Sequence, residues 1–266
     1  MHHPFFDIER PIVIGHRGAA GTHPENTLAS FEAALAQGAQ IIESDLQVSR
    51  DGIPILLHDP ALDRVTEASG LAADRLFEDL KRLDAGYRFE DAEGRFSARG
   101  AGHQISSLEE AFEAFPAARF NLEIKCNDSA AIQATLDLVE RFERSARTLL
   151  AAGEDDIMRE LRGALGAHAA RPAVGACLAE IVEAINSALT GSPMPDGVMA
   201  LQIPSSFGGK PLATSELIAH AHTYQVDVHV WTVNDLDEIE GLLSRGVDGI
   251  ITDYPGAMVE WLHQNG

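Results

Sequence analysis

The sequence predicts an α/β protein built as a single (β/α)8 barrel, or TIM barrel, over residues 1–266. Three observations predict this class. Short, β-branched apolar runs alternate with amphipathic segments. The runs that lead into a helix number about eight, and a length of 266 residues is usual for such a barrel. Strands that alternate with helices form βαβ units, which require a parallel sheet.

The predicted strands are apolar runs that are too short and too rich in β-branched residues to form helices. In chain order they are PIVIG, AQIIESD, IPILLHD, RFNLEIK, RTLLAAG, PAVGAC, VMALQIP, DVHVWTV and DGIITD. The runs IIESD and IPILLHD are interpreted as one strand extended by a hairpin, with RDG at 50–52 as its turn.

The predicted helices carry apolar residues at helical spacing, and several end at a glycine. They include ENTLASFEAALAQG, SSLEEAFEAF, AAIQATLDLVERFER, DDIMRELRGAL, TSELIAHAHTY and LDEIEGLLSRG. An open, doubly wound sheet is less favoured, because no GxGxxG or GxxxxGK motif follows a strand.

Residues 60–105 interrupt this alternation. They are rich in Gly, Asp and Arg and contain only a weak helical stretch near RLFEDLKRL. Because they follow the second strand, we expect an insertion within the barrel domain that caps its active-site face. The stretch SALTGSPMPDG at 187–197 precedes a strand and is predicted as a loop at the opposite face.

Charge and composition exclude several classes of partner. A formal net charge of −21 argues against nucleic acids and anionic membranes, which are bound by clustered Lys and Arg. It leaves an anionic small molecule open as substrate, because a bound divalent cation reverses the local charge. No apolar run is long enough for a membrane span and no signal peptide is recognisable, so we expect a cytoplasmic protein with Cys126 and Cys177 reduced and packed.

Charged residues collect where the predicted strands end, which is the functional end of a barrel of this kind. In chain order they are His16, Arg17, Glu43, Asp45, His58, Glu123 and Lys125. Side chains two apart on a strand share one face, so the carboxylates of Glu43 and Asp45 can meet one ion. Together with Glu123 they provide hard oxygen ligands, which suit one divalent cation, Mg2+ or Ca2+.

The other residues of this set suit phosphoryl transfer. His16 and His58 are candidates for general base and general acid, because an imidazole titrates near neutral pH. Arg17 and Lys125 would neutralise charge on phosphate oxygens. Lys125 alternatively serves only as an ion-pair partner of a neighbouring carboxylate. Trp231 is interpreted either as core or as an apolar wall against the substrate's carbon skeleton. The histidines without such company, interpreted as structural or exposed, are His103, His220, His222 and His229.

On these residues the chain resembles the glycerophosphodiester phosphodiesterases. The matching pieces cover nearly the whole chain in the order of the family. They are GHRG at 15–18, PENT at 24–27, ESDLQVSRDG at 43–52, LLHDPALDRVT at 56–66, LKRLDAGYRF in the insertion, NLEIK at 121–125, VWTVND at 230–235 and GVDGIITDYP at 246–255.

The resemblance implies a barrel in which Glu43, Asp45 and Glu123 hold one divalent cation while His16 and His58 act as base and acid. It implies hydrolysis of glycerophosphodiesters to sn-glycerol 3-phosphate and an alcohol. A glycerol hydroxyl would attack phosphorus and leave a cyclic phosphate that water opens. Arg17 and Lys125 would stabilise the transition state, and Trp231 would border the glycerol.

The chain departs from the family after RTLLA, where the family often carries Ser-Phe-Asp and this chain reads Ala152-Gly153-Glu154. We therefore expect a hydroxyl and an aromatic wall to be missing from the site. Residues 140–200 are the least family-like, and Gln202 is a weak candidate for substrate contact.

Three other functions fit the sequence less well. A phospholipase D-like enzyme acting on lysophospholipids would need more apolar surface than residues 60–105 offer. A zinc amidohydrolase would need a second histidine two residues after His16, where Gly18 stands. A non-catalytic phosphate-binding barrel would not require both His16 and His58. The sequence leaves open the leaving alcohol, the choice between Mg2+ and Ca2+, the attacking group and the oligomeric state.

Overall fold

The computed structural model describes residues 3–265 and consists mainly of a barrel. Its strands are β1 (Ile12–Gly15), β2 (Ile41–Val48), β3 (Pro54–Leu56), β4 (Arg119–Ile124), β5 (Thr148–Ala151), β6 (Ala173–Val174), β7 (Ala200–Pro204), β8 (Ser206–Phe207), β9 (Lys210–Pro211), β10 (Asp227–Trp231) and β11 (Gly249–Thr252). The parallel strands lie in the order β6-β5-β4-β2-β1-β11-β10-β7, and a parallel bridge between Gly175 and Ala200 joins the two ends. The predicted (β/α)8 barrel is confirmed.

Helices surround the barrel. They are α1 (Leu28–Ala36), α2 (Phe77–Leu80), α3 (Leu108–Ala114), α4 (Ser129–Arg141), α5 (Asp155–Ala167), α6 (Leu178–Thr190), α7 (Ser215–Thr223), α8 (Leu236–Leu243) and α9 (Pro255–Asn265). Several begin at a side chain that accepts a hydrogen bond from the first turn, namely Thr27, Ser107, Asp128, Thr214 and Asp235. Among residues 3–265, no helix has the length and apolar character needed to cross a membrane.

The hairpin reading of the second strand is correct. Strand β3 pairs antiparallel with β2, with Leu46 opposite Leu56 and Val48 opposite Pro54. Gly52 supplies the turn with a φ of +80°, in the left-handed region that glycine adopts at little cost. The hairpin therefore adds an antiparallel strand to the sheet, but β3 is not one of the eight parallel strands that form the barrel.

The predicted loop at 187–197 is partly wrong. Its first residues, 187–190, form the last turn of α6, which ends where Gly191 takes a φ of +72°. The run of small and polar residues SALTGS resembles a loop in composition, but Ser187 is buried and its hydroxyl donates to the carbonyl of Ser192. The rest of the stretch leads into the N-terminal end of β7, which is opposite the site.

Side chains alternate between the inside of the barrel and the layer under the helices, as strand geometry requires. Ile12, Ile14, Ile41 and Ile251 pack inside, together with Phe5 and Phe6 from the N-terminal segment. The intervening residues pack outward against the helices. Continuing this alternation toward the C-terminal ends of the strands places the charged residues inside the mouth of the barrel.

Residues 60–105 form a small hydrophobic core together with Ile55 of β3 and Leu57, which follows it. Its buried members are Ile55, Leu57, Leu62, Ala72, Leu80, Ala85 and Ile105. The carbonyl of Arg75 accepts from the backbone N–H of Arg50, and Asp51 accepts from that of Phe77, which ties the segment to the hairpin turn. Its role as a cap stays a prediction.

Candidate active site

Three carboxylates converge at the mouth of the barrel. Strand register puts Asp45 of β2 beside Glu123 of β4, and Glu43 lies two residues before Asp45 on the same face. One oxygen from each of the three lies within 4.8 Å of the others. Glu43 is 7% exposed and Asp45 1% exposed. The structure therefore brings together the three predicted ligands.

The electrostatics of this cluster favour a bound cation. Burial and the neighbouring charge of Asp45 raise the pKa of Glu43 to about 7, against opposing effects of His16 and Arg17. Two buried carboxylates at this distance repel each other when both are ionised. A divalent ion among three carboxylate oxygens offsets that repulsion, so the donor set fits such an ion.

Arg17 links the carboxylates to the chain segment that follows β1. Its backbone N–H donates to Glu43 Oε2 at 2.9 Å, and its Nε lies 3.2 Å from Asp45 Oδ2 as an ion pair without hydrogen-bond alignment. Its Nη1 donates to Glu25 Oε1 at 2.9 Å. Burial lowers the pKa of Arg17, but the surrounding carboxylates outweigh it and raise the pKa overall. The guanidinium stays charged at the rim of the cluster.

Lys125 lies on the other side of the cluster. Its Nζ is 2.7 Å from Glu123 Oε2 and 3.4 Å from Asp45 Oδ1. Burial lowers its pKa, but these carboxylates raise it more, so the ammonium form is favoured. The predicted ion pair between Lys125 and a neighbouring carboxylate is therefore present in the structure, and its contact with phosphate stays a prediction.

Each of the two predicted catalytic histidines is paired with a carboxylate through Nδ1. The Nδ1 atom of His16 lies 2.7 Å from Asp253 Oδ1, and that of His58 lies 2.6 Å from Asp59 Oδ1. Burial raises the pKa values of both aspartates, but their hydrogen-bonded partners lower them further, so both are ionised acceptors. Each Nδ1 therefore carries the proton, and each Nε2 is left for a substrate.

His16 sits in a negative field. Burial lowers its pKa, but the hydrogen bond to Asp253 and the charge of Glu43 outweigh burial and the opposing charge of Arg17, so the pKa is raised overall. Asn234 donates through Nδ2 to the second oxygen of Asp253 at 2.7 Å. The carboxylate is thus held on both sides, which fixes the imidazole ring.

Glycines allow the sharp turn after β1. Gly18 has a φ of +89°, and a Cβ atom on it would lie 2.4 to 2.7 Å from atoms of Ser30, including backbone. The backbone N–H of Ala19 donates to Ser30 Oγ, so the turn packs directly on α1. Only glycine permits this approach, which explains the GHRG pattern physically.

Sequence reasoning assigned no role to several residues that orient the site. Asn26, with a φ of +55°, donates through Nδ2 to Asp45 Oδ2 at 3.1 Å and accepts from Ser44 Oγ at 2.7 Å. Asp253 and Asn234 hold His16. A signal existed for each, because they stand in the PENT, TDYP and WTVND stretches that carry the family resemblance.

Trp231 ends β10 opposite Pro204 of β7 and is 44% exposed, so the reading of it as plain core is wrong. Gln202 lies on the inner face of β7, partly buried, and within residues 3–265 its amide makes no hydrogen bond. Of the departure at 152–154, Ala152 is fully buried in the outer core and does not face the site. Gly153 does, since a Cβ on it would lie 3.1 Å from Glu123 Oε1.

Three of the histidines predicted to be structural or exposed, and both cysteines, lie outside this cluster. His222 bonds Asp248 at 2.8 Å, His220 bonds Ser187 at 2.6 Å, and His229 is buried inside the barrel. Both cysteines are free thiols. Burial raises the pKa of each thiol to about 11, so neither is poised to react.

Comparison with known proteins agrees with this geometry. The model of the glycerophosphoryl diester phosphodiesterase family matches residues 16–257. The chain is 32% identical over 246 residues to the probable glycerophosphodiester phosphodiesterase 2 of Mycobacterium tuberculosis, covering 91% of this chain and 87% of that protein. It is 25% identical to a lysophospholipase D of Homo sapiens, covering 100% of this chain and 89% of that one.

Solved structures share the fold. An Oleispira antarctica phosphodiesterase in complex with the product sn-glycerol-3-phosphate superposes with a TM-score of 0.76 at 26% identity, covering 95% of this chain and 97% of that one. A glycerophosphoryl diester phosphodiesterase domain from Mycobacterium tuberculosis has a TM-score of 0.84 at 19% identity, covering 96% and 100%, and supports the fold alone. The resemblance expected from the sequence motifs is confirmed: the chain belongs to the glycerophosphoryl diester phosphodiesterase family.

Proposed function

We propose that this protein hydrolyses glycerophosphodiesters to sn-glycerol 3-phosphate and an alcohol. The observation that carries the proposal is the placement of two carboxylate-paired histidines, His16 and His58, at the mouth of the barrel that holds the three-carboxylate cluster. An acid and a base are what cleavage of a P–O bond requires and what phosphate binding alone does not. The related phosphodiesterase from Oleispira antarctica with its product in place supports the substrate class.

Glu43, Asp45 and Glu123 would hold the divalent cation. When bound, such an ion polarises the phosphoryl group and offsets its negative charge. Arg17 and Lys125 border the same space and would contact phosphate oxygens as charge builds up on them. Both Mg2+ and Ca2+ accept an all-oxygen set, so the choice between them is left to experiment.

His16 acts as the general base in this proposal. Its Nδ1 proton is held by Asp253, so Nε2 is free to take the proton of a glycerol hydroxyl beside the phosphodiester. The hydroxyl oxygen then bonds to phosphorus while the P–O bond to the alcohol breaks. His58, protonated on Nε2, donates its proton to the departing oxygen.

A cyclic phosphate and a free alcohol result from this step. In the second step the roles reverse: His58 takes a proton from water, water oxygen bonds to phosphorus, and His16 returns its proton to the glycerol oxygen. The net change is the addition of one water to the diester. Direct attack by water would give the same products without the cyclic species.

The alcohol would leave on the side of His58, toward residues 60–105. There a cavity of about 220 Å³ is lined by Pro24, Glu25, Arg64, Val65 and Phe89 among others. We propose that the residues of the insertion that line this cavity, Arg64, Val65 and Phe89 among them, cap the site over the leaving group. Trp231 would border the glycerol on the other side of the barrel mouth.

One observation supports lysophospholipids as an alternative substrate class. Phe207, 76% exposed, stands on the β8–β9 hairpin that follows β7, whose Pro204 pairs with Trp231. Exposed aromatic side chains on the glycerol side would suit an acyl chain. Against this, Leu62 and Leu80 of the insertion are buried in the small core described above, so they are not available to contact an acyl chain. The cytoplasmic location expected from the sequence stays a prediction.

The test is release of sn-glycerol 3-phosphate from glycerophosphocholine and glycerophosphoethanolamine, with chelator and with Mg2+ or Ca2+ restored separately. We expect cation-dependent release, loss of at least about 100-fold in kcat for His16→Ala or His58→Ala, and no loss for the matched control His263→Ala on the exposed face of α9. Turnover of lysophosphatidylcholine alone would favour the alternative. Full activity in His16→Ala and His58→Ala would refute the acid and base assignment.

A further inference from the structure

Arg64, in the insertion, uses three nitrogens of its guanidinium on two carboxylates. Its Nη1 and Nη2 donate to Glu25 Oε2 and Oε1 at 2.6 and 2.7 Å, and its Nε donates to Asp59 Oδ2 at 2.5 Å. This is a bidentate pair plus a third charge-assisted bond. The planar fork of arginine can make all three, and a lysine ammonium cannot reproduce the geometry.

Both carboxylates lead directly to residues of the proposed reaction. Asp59 accepts from His58 Nδ1 through the oxygen that Arg64 leaves free. Glu25 accepts from Arg17 Nη1, and the backbone of Arg17 in turn donates to Glu43. A continuous path of ion pairs and hydrogen bonds therefore runs from the candidate acid, through Arg64, to the candidate cation ligands.

The exposure of Arg64 and its partners indicates whether Arg64 contributes to stability or to positioning. The side chain of Arg64 is 43% exposed and that of Asp59 is 32% exposed. The Arg64–Asp59 pair is accessible enough to water to contribute little to the free energy of unfolding, whereas Glu25 is 19% exposed and keeps Arg17 as a second partner. Without Arg64, however, Asp59 would keep only His58 and Glu25 only Arg17 as partners, and nothing on the second oxygen of Asp59 would hold it against His58.

We propose that Arg64 is a positioning residue for the phosphodiester hydrolysis proposed above, on which this inference rests. It acts through Asp59 on the orientation of the His58 ring and through Glu25 on the guanidinium of Arg17. It also makes the insertion part of the catalytic apparatus, because the segment that covers the leaving-group side supplies the residue that orients the acid.

Kinetics of Arg64→Ala and Arg64→Lys test the proposal. We expect kcat to fall roughly 10- to 100-fold in both, the range for loss of a residue that orients a ligand or catalytic group, with KM changed less than about threefold. Arg82→Ala is the matched control, since Arg82 is also in the insertion and, among residues 3–265, forms an ion pair only with exposed Asp79, at 3.3 Å. It should retain full kcat.

Chemical rescue distinguishes positioning from damage to the fold. Because Arg64 lines the 220 Å³ cavity, its removal leaves a gap that guanidinium ion from solution can enter. Guanidinium at non-denaturing concentration should restore part of kcat in Arg64→Ala and none in Asp59→Ala. A loss of kcat accompanied by a lower urea midpoint and no rescue would overturn the proposal, as would an unchanged kcat.

A readout independent of turnover is the 15N chemical shifts of the His58 ring, detected through its carbon-bound protons. Arg64→Ala should shift them in the direction of Asp59→Asn and change those of His16 less. Unchanged His58 shifts would refute the inference. If the unaltered protein cleaves no glycerophosphodiester, the proposed function fails, and the ring shifts still decide whether Arg64 orients His58.

Discussion

Ionised Glu43 lowers the stability of the folded protein, and its substitution should reveal by how much. Its pKa in the folded protein is about 7, whereas its ordinary value is 4.5. A difference of one in pKa corresponds to about 1.4 kcal/mol, so ionised Glu43 destabilises the cation-free fold by about 3 kcal/mol. Glu43→Gln removes the charge and keeps an oxygen to accept from the backbone N–H of Arg17.

The raised pKa of Glu43 determines how its effect on the free energy of unfolding changes with pH. Below pH 4.5 the carboxyl group is protonated in both states and costs nothing. Between pH 4.5 and 7 the unfolded chain loses the proton first, so stability falls as the pH rises, and above pH 7 the full cost is present. The gain from Glu43→Gln should therefore be about 3 kcal/mol at pH 8 and about 1 kcal/mol at pH 5.5.

Urea unfolding of the chelator-treated proteins at the two pH values is the assay. Glu32→Gln, at an exposed carboxylate of α1, is the matched control and should change little at either pH. Saturating Mg2+ or Ca2+ should stabilise the unaltered protein by about 3 kcal/mol at 100 times the dissociation constant and not stabilise Glu43→Gln. A stability change that is equal at both pH values, or a loss at pH 8, would refute the reasoning.

Three further predictions concern other parts of the site. Asp253→Asn removes a partner that raises the pKa of His16, so the acid limb of the kcat/KM profile should move to lower pH; an unchanged limb would contradict the pairing. Gly18→Ala should lower the free energy of unfolding by about 2 kcal/mol or more, against about 1 kcal/mol for Gly94→Ala, where a Cβ meets nothing within 4 Å. Trp231→Ala should raise KM for glycerophosphodiesters without lowering the urea midpoint, because the side chain is 44% exposed; an unchanged KM would remove it from the glycerol subsite.

The barrel and the carboxylate cluster were predictable because both follow from local pattern. Alternating side-chain directions on a strand put Glu43 and Asp45 on one face whatever the rest of the chain does. A barrel then places every strand's C-terminal end at one rim, which brings in Glu123 from another strand. Neither inference needs a distance between remote residues.

The residues that orient the histidines were not predicted, for a physical reason. Asp253 lies 237 positions after His16, and only the parallel pairing of β1 with β11 makes them neighbours. Asp59 is adjacent to His58 in sequence, but whether adjacent side chains touch depends on rotamers. The misread stretch at 187–190 shows the same limit, since burial of Ser187 against α7 is a tertiary effect that composition does not express.

The long span between His16 and its carboxylate has a consequence for how the protein becomes an enzyme. His58 and Asp59 are adjacent in sequence, whereas His16 gains its partner only when β11 pairs with β1. Residue 253 must therefore be synthesised before His16, the proposed base, can pair with its carboxylate. Under the proposed mechanism, catalysis therefore requires a chain synthesised through residue 253 and a closed barrel, because a shorter chain would lack the carboxylate that orients the proposed base, His16.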